Sequence, residues 1–144
     1  MKYIKLSSEN FSEQLPQKPG LYKIIALDRN AIPEMICRVC GNDPSGVLYI
    51  GQSSKQSIQH RIGDFWKAHN NEYMSDAHSG AKTYASSKKI NSRYVFDNLV
   101  VWFEECTYPE KRETEELKSY FDKYGELPPL NNKFKAELYR QKRF

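Results

Sequence analysis

Few residues of this chain invite a chemical reading, and the densest group lies between Pro109 and Tyr124. Glu110, Glu113, Glu115 and Glu116 open a segment whose apolar residues recur with helical period. At about 100° per residue, Leu117, Tyr120, Phe121 and Tyr124 form one stripe, and Glu113 falls inside it. Glu116 falls on its edge and Glu115 on the opposite side, while Glu110 shares the stripe's direction but sits in the exposed first turn. A carboxylate aimed at a core is costly unless it is paired or binds a cation, so Glu113 needs a reason.

A second helical period begins at Ile58 and continues through Ile62, Phe65, Trp66 and His69. Arg61 lies on the border of that stripe. Such an arginine either lays its stem along the apolar face or reaches an anion with two N–H groups. Tyr22 and Tyr49 are two of ten tyrosines. Their setting distinguishes them: Gly20-Leu21-Tyr22 opens one expected strand, and Tyr49-Ile50-Gly51 closes another, where glycine lets backbone come close to a hydroxyl. Cys37 and Cys40 have the C-x-x-C spacing, but only Cys106, His60, His69 and His78 remain as further ligands. Within an extended run they point to opposite faces, so they read as semi-buried strand residues.

The elements that position these groups follow from punctuation and period. Lys18-Pro19-Gly20 precedes a strand from Leu21 to Leu27. An extended run, Met35 to Cys40, leads into turn formers from Gly41 to Gly46, and Val47 to Ile50 forms a short strand. An antiparallel meander is expected. Residues 70–94 read as a polar loop with a short helix around Ala81 to Lys89. Leu99 to Phe103, apolar on both faces, reads as a central strand. Pro109 suits a helix start, Gly125 its end, and Lys133 to Arg143 a last basic helix. The pattern predicts one α+β domain over residues 1–144, a small antiparallel sheet with helices, and a basic tail over 133–144.

Composition restricts the class. The net charge is +4, and it is unevenly spread: residues 52–93 carry 7 basic and 3 acidic groups, and residues 94–130 carry 4 and 9. Residues 131–144 carry 5 basic groups and 1 acidic. No apolar run approaches the roughly 18 residues of a membrane span, so no membrane association is expected. The N-terminus does not read as a signal peptide, and three cysteines argue against a disulfide framework, which predicts a cytoplasmic protein.

Taken in order, Gly20-Leu21-Tyr22, Tyr49-Ile50-Gly51, a helix with Arg61, a helix with Glu113, and Pro128-Pro129-Leu130-Asn131 resemble the GIY-YIG nuclease superfamily. The resemblance spans about residues 19–132. It implies a central antiparallel sheet flanked by helices and hydrolysis of phosphodiesters with Mg²⁺ or Mn²⁺. It assigns Tyr22 and Tyr49 as the motif tyrosines, Arg61 as the helix arginine, Glu113 as metal ligand (Glu116 the alternative) and Asn131 as the asparagine after the proline turn. Leu21 replaces the motif's Ile. Phe65 stands where many members carry His or Tyr, which leaves His60, His69, His78 or Lys55 for the fifth group, with His78 preferred.

On that resemblance the chain is expected to be a DNA endonuclease; a restriction-type enzyme would be a homodimer, since one active site cuts one strand. Glu113 would hold the cation, Arg61 would neutralise the phosphate, and one tyrosine would take a water proton while the other positions that water. Lys55, Lys67, Lys133, Lys135, Arg140, Lys142 and Arg143 are the expected DNA contacts. The rivals are a repair or mobile-element nuclease and a non-catalytic nucleic-acid-binding module with a vestigial site.

Overall fold

The computed structural model describes residues 3–70 and 78–131. Its strands are β1 (Ile4–Lys5), β2 (Gly20–Ala26), β3 (Ile36–Arg38), β4 (Gly41–Asp43), β5 (Val47–Ser53) and β6 (Leu99–Glu105). The helices are α1 (Ile58–Asn70), α2 (Ser79–Ser86), α3 (Lys88–Arg93) and α4 (Pro109–Tyr124). A four-stranded antiparallel sheet in the order β1-β6-β2-β5 forms the centre, and β3-β4 is a separate hairpin. The fold is α+β, an antiparallel sheet flanked by helices.

Side chains alternate across β2, and each face meets a different layer. Tyr22, Ile24 and Ala26 join Ile58, Ile62, Phe65, Ala81 and Tyr84 in a core that includes α1 and α2. Leu21 and Ile25 join Leu117, Tyr120 and Tyr124 of α4 on the other side. The pairing of β2 with β5 is interrupted: Ile24 pairs with Tyr49 and Ile25 with Val47, so Leu48 is an extra residue. This bulge puts Leu48 and Tyr49 on one face. Without it, strict alternation would send Tyr49 to the α4 side, away from Tyr22.

Several expectations change here. Gly51 lies within β5, so Tyr49 stands mid-strand. Strand β3 lies in the expected extended run Met35 to Cys40, whereas β4 lies among the turn formers after it. This hairpin is tied to the end of α4 by Tyr120 Oη donating to the fully buried Asp43 (2.9 Å) and by the Arg38–Glu126 ion pair (2.7 Å). The segment expected as a loop with one helix holds α2 and α3, each capped by the side chain before it, His78 and Ser87. The sheet is not a simple meander, because β6 pairs with β2 opposite β5. Trp66 is exposed, its place in the helix stripe taken by Ala68, and Cys37 and Cys40 are exposed rather than semi-buried. Helix α4 ends as expected at Gly125, whose φ of 76° is left-handed. The expected helix Lys133 to Arg143 lies outside the described residues.

No helix among the described residues is long and apolar enough to cross a membrane. Gly20 opens β2 where it crosses β6, and a Cβ there would overlap the Glu104 carbonyl oxygen and lie 2.6 Å from Ile58 Cδ1. Gly20→Ala is expected to destabilise the fold by about 2 kcal/mol, since the obstacle is backbone. Urea unfolding checks this, and an unchanged midpoint would contradict the packing described.

Candidate active site

Four sequence-predicted residues converge on the α1 face of the sheet near the edge strand. Tyr22 is wholly buried, and Tyr49 keeps 9% of its surface exposed. Their rings lie 6.0 Å apart. Gly51, paired with Tyr22 across the strands, makes this possible: a Cβ there would come within 2.6 Å of both tyrosine rings. His78 lies 5.0 Å from the Tyr49 ring and edge-on, while its Nε2 is 2.7 Å from Tyr22 Oη. Gly80, in the first turn of α2, lets that helix press on the ring of Tyr49, where a Cβ would meet Cδ2 at 2.9 Å. Phe65 packs edge-on against His78 at 5.1 Å.

The direction of these bonds follows from one backbone amide. His78 Nδ1 accepts the Ala81 N–H (3.2 Å), because His78 is the N-cap of α2. An atom that accepts an N–H carries no proton. Burial, reinforced by the Arg61 charge, lowers the His78 pKa to about 3, so the ring is neutral and its one proton is on Nε2. Nε2–H therefore donates to Tyr22 Oη. Burial pushes the Tyr22 phenol well above its usual pKa, and Tyr49 adds to the rise. The Arg61 charge and a hydrogen bond from Arg61 act against it. With His78 donating to Tyr22 Oη, the Tyr22 proton is turned away from the histidine, and Tyr49 is the neighbouring phenol, ring centres 6.0 Å apart.

Arg61 projects from α1 with its side chain 26% exposed, and Asp64, three residues on, holds it at 3.6 Å. Asp64 also lies 3.8 Å from His60. Arg61, Lys55 and Glu110 line one cleft of about 360 Å³ at the end of β5. There Ser54 donates to Glu110 Oε1 at 3.1 Å.

Glu113, one turn further along α4, is 8% exposed and lies with Leu117 on the buried face of the helix. Glu116 is committed elsewhere, to Lys23 (2.9 Å) and Arg112 (2.8 Å). Against the upward push of its burial, hydrogen bonds from these two cations hold its carboxyl below the usual range. Gln52 Oε1 is fully buried and bonds no protein atom, and its residue lines the same cleft.

Asn131 binds the backbone of β5. Its Oδ1 accepts the Ile50 N–H and its Nδ2 donates to the Ile50 carbonyl, both at 2.9 Å. With Leu130 N–H donating to Leu48 O (2.8 Å), it covers the open edge of β5 on either side of Tyr49. His69 stacks on Phe96 at 4.0 Å, and Lys67 and His60 line a groove on the other side of α1 from Arg61. None of these three joins the cluster. Lys133, Lys135, Arg140, Lys142 and Arg143 lie outside the described residues.

Among the described residues no three His, Cys, Asp or Glu side chains form a metal cage. One buried carboxylate and an unpartnered amide oxygen fit a hydrated Mg²⁺ or Mn²⁺, which keeps several waters. Sequence reasoning missed Asp64, Gln52 and the bulge at Leu48. Asp64 was legible from its i+3 spacing to Arg61; the other two leave no pattern in the chain. Comparison with known proteins finds no matching family model, no similar curated protein and no similar solved structure.

His78 has a pH consequence. Its folded pKa is depressed, so the unfolded chain takes up a proton first, and the stability held above about pH 6.5 is lost as pH falls towards 3. His78→Asn keeps a helix cap but removes this proton. Its thermal midpoint is expected to fall less steeply than that of the wild type between pH 6.5 and 4, and parallel curves would contradict the burial of a neutral ring.

Proposed function

We propose that this chain is a divalent-cation-dependent endonuclease of the GIY-YIG type that hydrolyses DNA phosphodiesters. The observation that carries the reading is the convergence of Tyr22, Tyr49, Arg61 and His78 in one hydrogen-bonded cluster, with α4 carrying a buried Glu113 beyond the Arg61 cleft. The order of the motifs along the sequence supports the family reading. A cytoplasmic location and a homodimer that cuts both strands belong to the same proposal.

Within it, Tyr49 is the proton acceptor and Tyr22 the residue that positions it. Tyr22 has no exposed surface, whereas Tyr49 reaches solvent. With the Tyr22 proton turned away from His78, negative charge on the neighbouring Tyr49 oxygen can be met by a hydrogen bond. In the reaction Tyr49 acts as the phenolate left when its own proton goes to solvent. It takes a proton from the water as the water oxygen bonds phosphorus; the bond to the leaving oxygen breaks and that oxygen takes a proton from solvent. Arg61, braced by Asp64, neutralises the non-bridging oxygens. Glu113 would hold Mg²⁺ or Mn²⁺, with the Gln52 amide oxygen available to the cation or its waters. When bound there, such a cation would supply Lewis-acid polarisation of the phosphate and stabilisation of the departing charge. Lys55, exposed on the rim of the cleft, contacts flanking phosphates.

Nicking of supercoiled plasmid tests the assignment. Glu113→Gln is expected to abolish cleavage and keep DNA binding, and Glu116→Gln to keep cleavage. Tyr49→Phe is expected to lose about 100-fold or more in rate, and Tyr22→Phe less. Full activity of Tyr49→Phe would overturn the choice of base. Cleavage that persists in chelator would overturn the cation requirement.

A further inference from the structure

On the face of α1 turned away from Arg61 lies a groove of about 670 Å³ that the mechanism does not use. One wall is the segment around Phe11 and Ser12. Gln59 pins it to the helix through Nε2 donating to Ser12 O (2.7 Å) and N–H donating to Pro16 O (3.1 Å). Trp66 stacks on Phe11, ring centres 6.2 Å apart and 26° from parallel, yet remains 38% exposed. A braced indole with open surface is a stacking platform. Lys67 and His60 flank it, and among the described residues no carboxylate lines the groove; Asp64, 3.8 Å from His60, is shared with Arg61.

The floor is Gly63, in the interior of α1. Glycine is the least favourable helix residue after proline, and here packing does not demand it, since a Cβ at Gly63 meets nothing within 4 Å. What the glycine does is leave the floor bare between His60 and Lys67, one turn to either side. A flat ring can settle there against Trp66. The groove's lining at Ser57 adjoins the Arg61 cleft's lining at Gln56, so a strand passing the first turn of α1 reaches both.

We propose that this groove binds an unpaired nucleotide, its base on Trp66 over Gly63 and its phosphate at Lys67 and His60. The assignment rests on the nuclease reading and narrows its substrate to DNA with an unpaired stretch beside the scissile bond. A lysine and an imidazole beside an aromatic platform suit a nucleic-acid strand, and a paired base has no free face to offer.

The test is made in chelator, without cleavage. Trp102→Phe leaves Trp66 as the sole tryptophan, since the chain has 2. An oligothymidylate is expected to quench its fluorescence, and a blunt duplex of equal length not to. Trp66→Ala and Gly63→Leu, followed by anisotropy of labelled oligothymidylate, are expected to weaken binding about tenfold or more. Gly63→Ala is expected to raise the thermal midpoint while weakening binding, which a purely structural glycine would not do. Absent quenching, equal quenching by the duplex, or wild-type affinity in Gly63→Leu would overturn the groove. Tight, Trp66-dependent binding with no cleavage under any divalent cation would leave the groove standing and sink the nuclease reading. Cleavage indifferent to Trp66 and Gly63 would do the reverse.

Discussion

A neutral imidazole sealed inside a protein must find a partner for each ring nitrogen or pay for an orphaned polar atom. His78 finds both, the Ala81 N–H at the start of α2 and the Tyr22 hydroxyl in the sheet. The first bond fixes which nitrogen carries the proton, and the second passes that polarity on. Tyr22 is thereby made an acceptor from His78, which turns its own proton away from the histidine. The orientation of the cluster is set by the cap of a short helix rather than by the tyrosines themselves. Undocking α2 would remove the histidine, the pressure of Gly80 on Tyr49 and the seal over Tyr22 together.

The rest of the structure supplies the room for that bond. Gly51 lets the two phenol rings meet, and the extra residue at Leu48 turns Tyr49 onto the face of Tyr22. Asn131 and Leu130 take up backbone groups on the free edge of β5 beside the bulge, which keeps the strand from fraying where the site needs it rigid. Opposite, α4 packs on Ile25, Val47 and Ile50, and the Lys23–Glu116–Arg112 group holds its exposed flank. Glu113 is the buried glutamate of α4, one turn along the helix from Glu110 in the cleft lining.

Helices were more legible in the sequence than strands, for a physical reason. A rigid 3.6-residue period places Glu113 among buried side chains and Arg61 at a border from spacing alone, and Pro109 and Gly125 mark the ends of α4. Strand geometry has a period of two, so the single bulge at Leu48 reverses every later assignment on β5 without any trace in residue type. The two-residue β1, and β4 hidden among turn formers, have no usable pattern, whereas β3 falls inside the extended run Met35 to Cys40. Trp66 sat at the margin of its stripe and fell on the solvent side, where Phe11, far off in sequence, covers one ring face. His78 stood out only through the resemblance. Its partners Tyr22 and Ala81 belong to different elements, so the contact that matters is one of tertiary structure.

The direction of the hydrogen-bond chain is the claim on which the choice of Tyr49 over Tyr22 rests. Nitrogen-15 NMR of the histidine rings reads it directly. The His78 ring is expected to show a protonated Nε2 bonded to an oxygen and an unprotonated Nδ1, and to stay neutral as pH falls well below 6.5, towards about 3. A proton on Nδ1, or a His78 titration near pH 6.5, would contradict the account.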